Sequence, residues 1–229
     1  MELLRGKYTL LLPDGTFPLS TDSMVLADFV RLGRDASVVD LGAGCGTLGL
    51  LLCSRDDRCR VTGIELDKSA HEAALDNIHR NHLTGRMESI CADLRAVPDL
   101  ISPGSFSVGV SNPPYYSGGP ASAVLPMARR EDLCSLDDLF RSAAWALKFG
   151  GDFYLVHKPE RLAQICTTAA RYQMEAKRLC LVYHKVSDPV NLVLVQCRKG
   201  AKPGLVWETL CLHEADGTPT QRYREIYHI

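Results

Sequence analysis

Four consecutive residues, Asn112-Pro113-Pro114-Tyr115, carry the clearest chemical signal in this sequence. They follow Phe106 to Ser111, a run that reads as a strand. An amide or aniline-type nitrogen is a poor nucleophile because its lone pair is delocalised. The side-chain carbonyl of Asn112 and the backbone carbonyl of Pro113 can each accept one N–H hydrogen bond from such a group. That pairing orients the lone pair and stabilises the positive charge that grows on nitrogen during attack. Pro113 and Pro114 hold the carbonyls rigidly, and Tyr115 offers a ring face for a planar base or amide. The expected chemistry is transfer of a small electrophile in line. It needs no covalent intermediate, metal or general base, because the proton can leave to solvent.

A second signal suggests where the electrophile comes from. Asp40-Leu41-Gly42-Ala43-Gly44-Cys45-Gly46-Thr47-Leu48-Gly49 follows a strand and opens a helix. Glycine lets the backbone turn tightly and approach a ligand with no Cβ in the way. Gly44-x-Gly46-x-x-Gly49 is formally a dinucleotide fingerprint, and Glu65 ends the next strand, where ribose hydroxyls would lie. Asp40 argues against a pyrophosphate, which would meet a second negative charge at the lip of the turn. S-adenosylmethionine carries an amino group and a sulfonium and no phosphate, so a carboxylate suits it there. On that reading Glu65 pairs with the ribose, and Asp93, after the third strand, accepts from the adenine amino group.

These residues need a scaffold that brings strand ends together. A helix capped by Ser20, Thr21 or Asp22 presents Val25, Leu26, Phe29 and Val30, and Gly33 ends it. Strands are expected at 37–41, 60–65, 87–91, 106–111 and 152–157, with helices at 48–52, 68–81, 136–147 and 160–172 between or after them. Two β-rich runs, 178–184 and 191–197, flank a hairpin connection at 185–189. Strand–helix alternation followed by an antiparallel pair predicts an α/β, mostly parallel sheet with helices on both faces and an antiparallel edge hairpin. If strands one and four are neighbours, the Asn112 loop faces the glycine turn. The tail at 203–229 is weakly patterned. The 229 residues show no linker or repeat, so one domain is expected.

Composition narrows the partners. Lys plus Arg total 26 against 27 Asp plus Glu, so any nucleic-acid contact must use a local patch. Candidate patches are Arg129-Arg130, Lys177-Arg178, Arg198-Lys199 with Lys202, and Arg222 with Arg224. The nine cysteines are scattered without a Cys-x-x-Cys pair, which predicts reduced, hydrophobe-like thiols and no metal site. No membrane-length apolar run or signal-peptide core is visible, and a cytoplasmic location is expected.

Asp40 to Gly46, Gly63-Ile64-Glu65-Leu66-Asp67, Asp93 and Asn112 to Tyr115 together resemble the class I amino-methyltransferases. Within that class the chain resembles the bacterial family that methylates N6 of adenine 37 in a valine tRNA. Phe17 to Phe29, Tyr154 to Leu162, Arg198-Lys199-Gly200 and Tyr223 to Tyr227 extend the resemblance over nearly the whole chain. It implies a Rossmann-like, seven-stranded fold: an N-terminal lid and helix at 1–35, a cofactor-binding core at 36–200 and an extension at 201–229. It places Asp40, Gly42, Gly44, Glu65 and Asp93 around S-adenosyl-L-methionine, with Asp22 closing the pocket. Asn112, Pro113, Pro114 and Tyr115 would hold the target amine. The substrate implied is tRNA, with His157, Lys158 and Arg161 as an RNA-facing surface that neutralises phosphates. Tyr223 and Tyr227 could stack on bases, but core packing is the favoured reading of both.

The same Asn-Pro-Pro-Tyr motif resembles that of enzymes that methylate a release-factor glutamine amide. Those usually carry a helical N-terminal domain of several dozen residues, whereas residues 1–35 are all that precede the first strand here. Amino-methyltransferases acting on rRNA or DNA share the motif too, and a non-catalytic RNA-binding scaffold is a third class.

Overall fold

The computed structural model describes residues 2–4, 7–12, 19–113 and 134–229. Pro114, Tyr115, Arg129, Arg130 and residues 13–18 lie outside the described residues.

Strands β1 (Glu2–Leu4) and β2 (Tyr8–Leu10) pair as a small antiparallel ribbon, followed by helix α1 (Thr21–Phe29). Strand–helix alternation then runs through β3 (Ser37–Leu41), α2 (Thr47–Arg55), β4 (Arg60–Glu65), α3 (Lys68–Arg80) and β5 (Met87–Cys91). It continues with the one-turn α4 (Val97–Leu100), β6 (Phe106–Ser111), α5 (Leu136–Ala146), β7 (Leu147–His157) and α6 (Leu162–Arg171). Strands β8 (Met174–Lys185), β9 (Val190–Lys199) and β10 (Val206–His213) follow, and α7 (Gln221–Tyr227) closes the chain.

The main sheet has eight strands in the order β10-β8-β9-β7-β6-β3-β4-β5. β7, β6, β3, β4 and β5 are mutually parallel, and β9 is antiparallel to both β7 and β8. β3 and β6 are neighbours, as the placing of the Asn112 loop required.

The expected count of seven strands is corrected to eight by β10, inside the tail that looked unpatterned. β10 pairs in parallel with β8, from Val206 opposite Arg178 to His213 opposite Lys185. Its first four residues are exposed on both faces, with Trp207 at 65%. Only its second half packs inward, with Leu212 buried and Leu210 against the core, so its apolar alternation is too short to reveal the strand in sequence.

Side chains of successive strand residues alternate between two cores. Val38, Val108, Val110, Tyr154 and Val156 face the layer formed by α1, α2 and α3. Val39, Phe153, Leu155, Val193 and Val195 face α5 and α6. Asp40 shares a face with Val38 by the same alternation. Five cysteines, Cys45, Cys53, Cys59, Cys180 and Cys197, are buried among these apolar groups.

α1 is held from several sides. Ser20 caps it, its side chain accepting from Ser23 N at 3.3 Å. The helix ends at Phe29, earlier than Gly33, with Val30 as C-cap. The Arg55 guanidinium bonds the carbonyls of Ala27 and Val30, two groups that the helix end leaves without intrahelical donors. Arg178 donates to the Phe29 carbonyl at 3.2 Å and lies 4.2 Å from the centre of the Phe29 ring. On the far side, Arg222 pairs with Asp28, and the Tyr227 hydroxyl is 3.0 Å from Thr21 Oγ1.

Candidate functional site

The glycine turn sits at the carboxyl end of β3 in a conformation that demands its composition. Gly42, Gly44 and Gly46 have φ of +78°, +55° and +83°, where a Cβ is strained. The glycines divide into two kinds. A Cβ on Gly42 or Gly44 would meet nothing within 4 Å, so both border open space. A Cβ on Gly46 or Gly49 would strike Met87 Cε at 2.7 or 2.5 Å, so those two permit packing against β5. Asn77 of α3, fully buried, braces the turn by donating to the Cys45 carbonyl at 3.0 Å. Its amide also exchanges two hydrogen bonds with the Leu11 backbone. Sequence reading missed this residue, because a polar position inside an alanine-rich helix gives no hint of what it touches.

Two carboxylates meet at this turn and differ in what satisfies them. Glu65 Oε2 accepts from Gly44 N at 2.7 Å and Oε1 from Asp67 N at 2.8 Å. It is thus locked to the turn, and each oxygen keeps a further lone pair. Asp40 is 1% exposed, and neither of its carboxylate oxygens has a hydrogen-bond partner among the described residues. Burial, reinforced by the charge of Glu65, pushes its pKa up to about 8. A buried acid with unmet acceptors is costly by itself, and a cationic hydrogen-bonding ligand would relieve that cost. Together with the open space at Gly42 and Gly44, this fits the amino group and sulfonium of S-adenosylmethionine.

Asp93 caps the 3-10 turn that follows β5. Its carboxylate accepts from Arg95 N at 2.8 Å and from Arg95 Nε at 2.9 Å, which holds its pKa below the ordinary value. Asp22 lies in the first turn of α1, half-buried.

Asn112 and Pro113 leave β6 at the same sheet edge as Asp40. Ser111 ties the two strands there, its hydroxyl donating to the Leu41 carbonyl at 2.7 Å. Asn112 Nδ2 donates to Ser23 Oγ of α1 at 3.0 Å. The first turn of α1, with Asp22 in it, is therefore in contact with Asn112 through Ser23. Ser23 was not among the expected site residues. Its only signal was the Ser20-Thr21-Asp22 cap, which explains a hydroxyl there without reference to Asn112.

The RNA-facing surface needs correction at His157. This residue is 1% exposed, and its Nδ1 accepts from Lys158 N at 2.8 Å. Burial and the nearby Arg161 lower its pKa to about 4, so it is a neutral acceptor inside the protein. Lys158 lies at the same edge, its Nζ 3.2 Å from Asn191 Oδ1. Other basic candidates serve the fold: Arg198 pairs with Asp152, Lys199 donates to the Leu147 carbonyl, and Lys177 to that of Lys202. Tyr223 and Tyr227 stack on each other with ring centres 4.2 Å apart. No group of three potential metal ligands and no helix long and apolar enough to cross a membrane occurs among the described residues.

A mostly parallel sheet with a glycine turn after its central strand and an acid ending the next is a fold this chain shares with solved methyltransferase structures. The chain belongs to the methyltransferase small domain family, whose model matches residues 19–165. It is 31% identical over 187 residues to the tRNA1(Val) (adenine(37)-N6)-methyltransferase of Dickeya chrysanthemi, covering 80% of this chain and 74% of that one. The enzyme of the same description from Shewanella halifaxensis is 30% identical over 165 residues, covering 71% of this chain. The match spans 65% of that relative's length. Among solved structures, a predicted O-methyltransferase from Agrobacterium tumefaciens superposes with a TM-score of 0.77 at 22% identity, covering 91% and 96% of the two chains. That likeness concerns the fold alone.

Proposed function

We propose that this protein methylates the exocyclic amino group of adenine 37 in a valine tRNA. The observation that carries the chemistry is the meeting of Asp40, unmet in its hydrogen bonding, with Asn112 at adjacent strand ends. The relatives' names carry the choice of nucleic acid.

S-adenosylmethionine, when bound, supplies an electrophilic methyl group on a sulfonium. Asp40 holds its cationic amino-acid end, and Gly42 and Gly44 give it room. Glu65 takes the ribose hydroxyls on the lone pairs that the turn leaves, and Asp93 faces the adenine. Asp22 closes the pocket from α1. Asn112 and the Pro113 carbonyl accept the two N–H bonds of the target amine, and Pro114 and Tyr115 are assigned with them to hold it. As nitrogen becomes positive those carbonyls bind more tightly, which is where the rate comes from. The proton goes to solvent. An anticodon loop presents adenine 37 partly unpaired, so turning it into the pocket costs little. Lys158 and Arg161 receive phosphates. In this reading, 1–35 is a lid, 36–200 the catalytic core and 201–229 an extension of one cytoplasmic domain.

The test uses the purified protein, labelled S-adenosylmethionine, unmodified valine tRNA and a release factor, for the unaltered chain and Asn112→Ala. Label recovered as N6-methyladenosine in the tRNA, and lost in the variant, is the expected result. Label in the release factor alone keeps the mechanism and overturns the substrate.

A further inference from the structure

We infer that Asn77 is a positioning residue through which the N-terminal ribbon raises cofactor affinity without touching the cofactor. The inference rests on the reading of the glycine turn as the S-adenosylmethionine site. α3 offers two asparagines one helical turn apart, Asn77 and Asn81, to Leu11 and Thr9. Four helical residues rise about 6 Å and two strand residues about 6.6 Å, so two such amides match alternate residues of a strand. Asn77 Oδ1 accepts from Leu11 N at 2.7 Å, and its Nδ2 donates to the Leu11 carbonyl at 3.0 Å. Asn81 repeats the pattern, accepting from Thr9 N at 2.8 Å and donating to the Thr9 carbonyl at 2.7 Å. β2 pairs with β1, and the helix side chains bond Thr9 and Leu11 as a further strand would.

Asn77 differs from Asn81 in where its other N–H goes. It donates to the Cys45 carbonyl at 3.0 Å, inside the glycine turn, whereas that of Asn81 donates to the Asn77 carbonyl at 2.7 Å within α3. Glu65 therefore holds the N–H of Gly44, and Asn77 holds the carbonyl of the next residue. The polarity of the Asn77 amide is fixed by main-chain groups: Leu11 N only donates, and the carbonyls of Leu11 and Cys45 only accept. A flipped amide would oppose all three. Asn77 is fully buried, so a bond lost there leaves its partner unpaired.

A turn rich in glycine is entropically costly to order. One held in its bound shape beforehand spares the cofactor that cost, and the saving appears as affinity. The bonds to Leu11 and Cys45 share one rigid amide plane, so slack in the ribbon becomes slack in the turn. By linkage the coupling is reciprocal, and cofactor binding should steady the ribbon.

The test is hydrogen exchange read by NMR, beside calorimetric titration with S-adenosylmethionine, on the full chain, Asn77→Ala, Asn81→Ala and the double variant. Without cofactor, the amides of Gly44 and Gly46 should exchange faster in both single variants. Their acceleration should exceed that of Val38 and Val39 inside β3, which report the stability of the core. Cofactor Kd should rise about tenfold in Asn77→Ala and about threefold in Asn81→Ala, the scale of one net hydrogen bond and a fraction of one. At saturating cofactor, kcat should stay within about twofold. Adding Asn81→Ala to Asn77→Ala should cost no further affinity. In the unaltered protein, cofactor should slow exchange at Thr9 and Leu11, and Asn77→Ala should abolish that effect.

Asn81→Ala leaves the turn's own hydrogen bonds in place, and it carries the test if Asn77→Ala impairs folding. An unchanged Kd or unchanged turn exchange in Asn81→Ala overturns the inference, as does an equal further loss in the Asn77→Ala background. If the unaltered protein binds no S-adenosylmethionine, the cofactor reading fails, and the ligand-free exchange still decides whether ribbon and turn are coupled.

Discussion

Asp40, the glycine turn and Glu65 all come from one strand–turn–helix–strand run, residues 37–65, whereas Asn112 acquires its setting from Ser23 across 89 residues of chain. The first wall is built by backbone: three left-handed glycines and two main-chain N–H groups on one carboxylate. The second is built by side chains from separate layers of the fold. The walls also differ in what they lack. Glu65 is satisfied in place, while Asp40 is buried with no hydrogen-bond partner for either carboxylate oxygen among the described residues. A wall made of backbone tolerates loss of a neighbouring side chain. A wall made by side chains from distant segments does not, so the two should respond differently to substitution.

The largest separation should come from Asn112→Ala. It should lower kcat on the order of a thousandfold, the cost of deleting a transition-state hydrogen-bonding group, with the cofactor Kd nearly unchanged. Single-turnover kinetics beside calorimetric titration checks both halves. Loss of cofactor binding in this variant would dissolve the distinction between the walls.

Asp40→Asn should do the reverse, weakening cofactor binding about a hundredfold, as expected when one partner of a buried charged contact is removed. The ligand-free protein should nevertheless become more stable, because a buried acid with unmet bonds is gone. A thermal melt without ligand showing a lower Tm would contradict the assignment of strain to Asp40.

The pH dependence sharpens the same point. Asp40 titrates near 8 in the folded protein against an ordinary 3.8. The folded ligand-free state therefore keeps a proton that the unfolded chain releases. This contribution to stability is full below pH 3.8 and fades as pH climbs through about 8. Cofactor affinity should run the opposite way, rising until Asp40 is ionised at about pH 8 and then levelling. Titrations from pH 6 to 9 should show this slope, and Asp40→Asn should flatten it. His157 slopes oppositely in stability: its pKa is lowered from 6.5 to about 4, so its contribution is lost as pH falls through that window.

The smallest effect should come from Tyr227→Phe, which removes one half-exposed hydroxyl contact with α1. About 1 kcal/mol of stability and a severalfold fall in kcat are expected, with cofactor binding untouched. Denaturant melts and steady-state rates test it.

The first wall is legible in the order of residues alone. Its parts are local, so Asp40, the glycines and Glu65 can be read from one strand, its turn and the next strand end. The same holds for the alternation from β3 to β7 and for the hairpin between β8 and β9, since burial on one face leaves a period in the chain. Packing settled the rest. β10 lies at an exposed edge and packs inward only at Leu210 and Leu212, which leaves too short an apolar period to read. His157 looked like surface because its neighbours are charged, yet it ends a central strand under other side chains. Ser23, Asn77 and Tyr227 matter through side-chain hydrogen bonds to distant segments. A polar side chain declares its type in sequence, but its partner is fixed only when helices and strands come together.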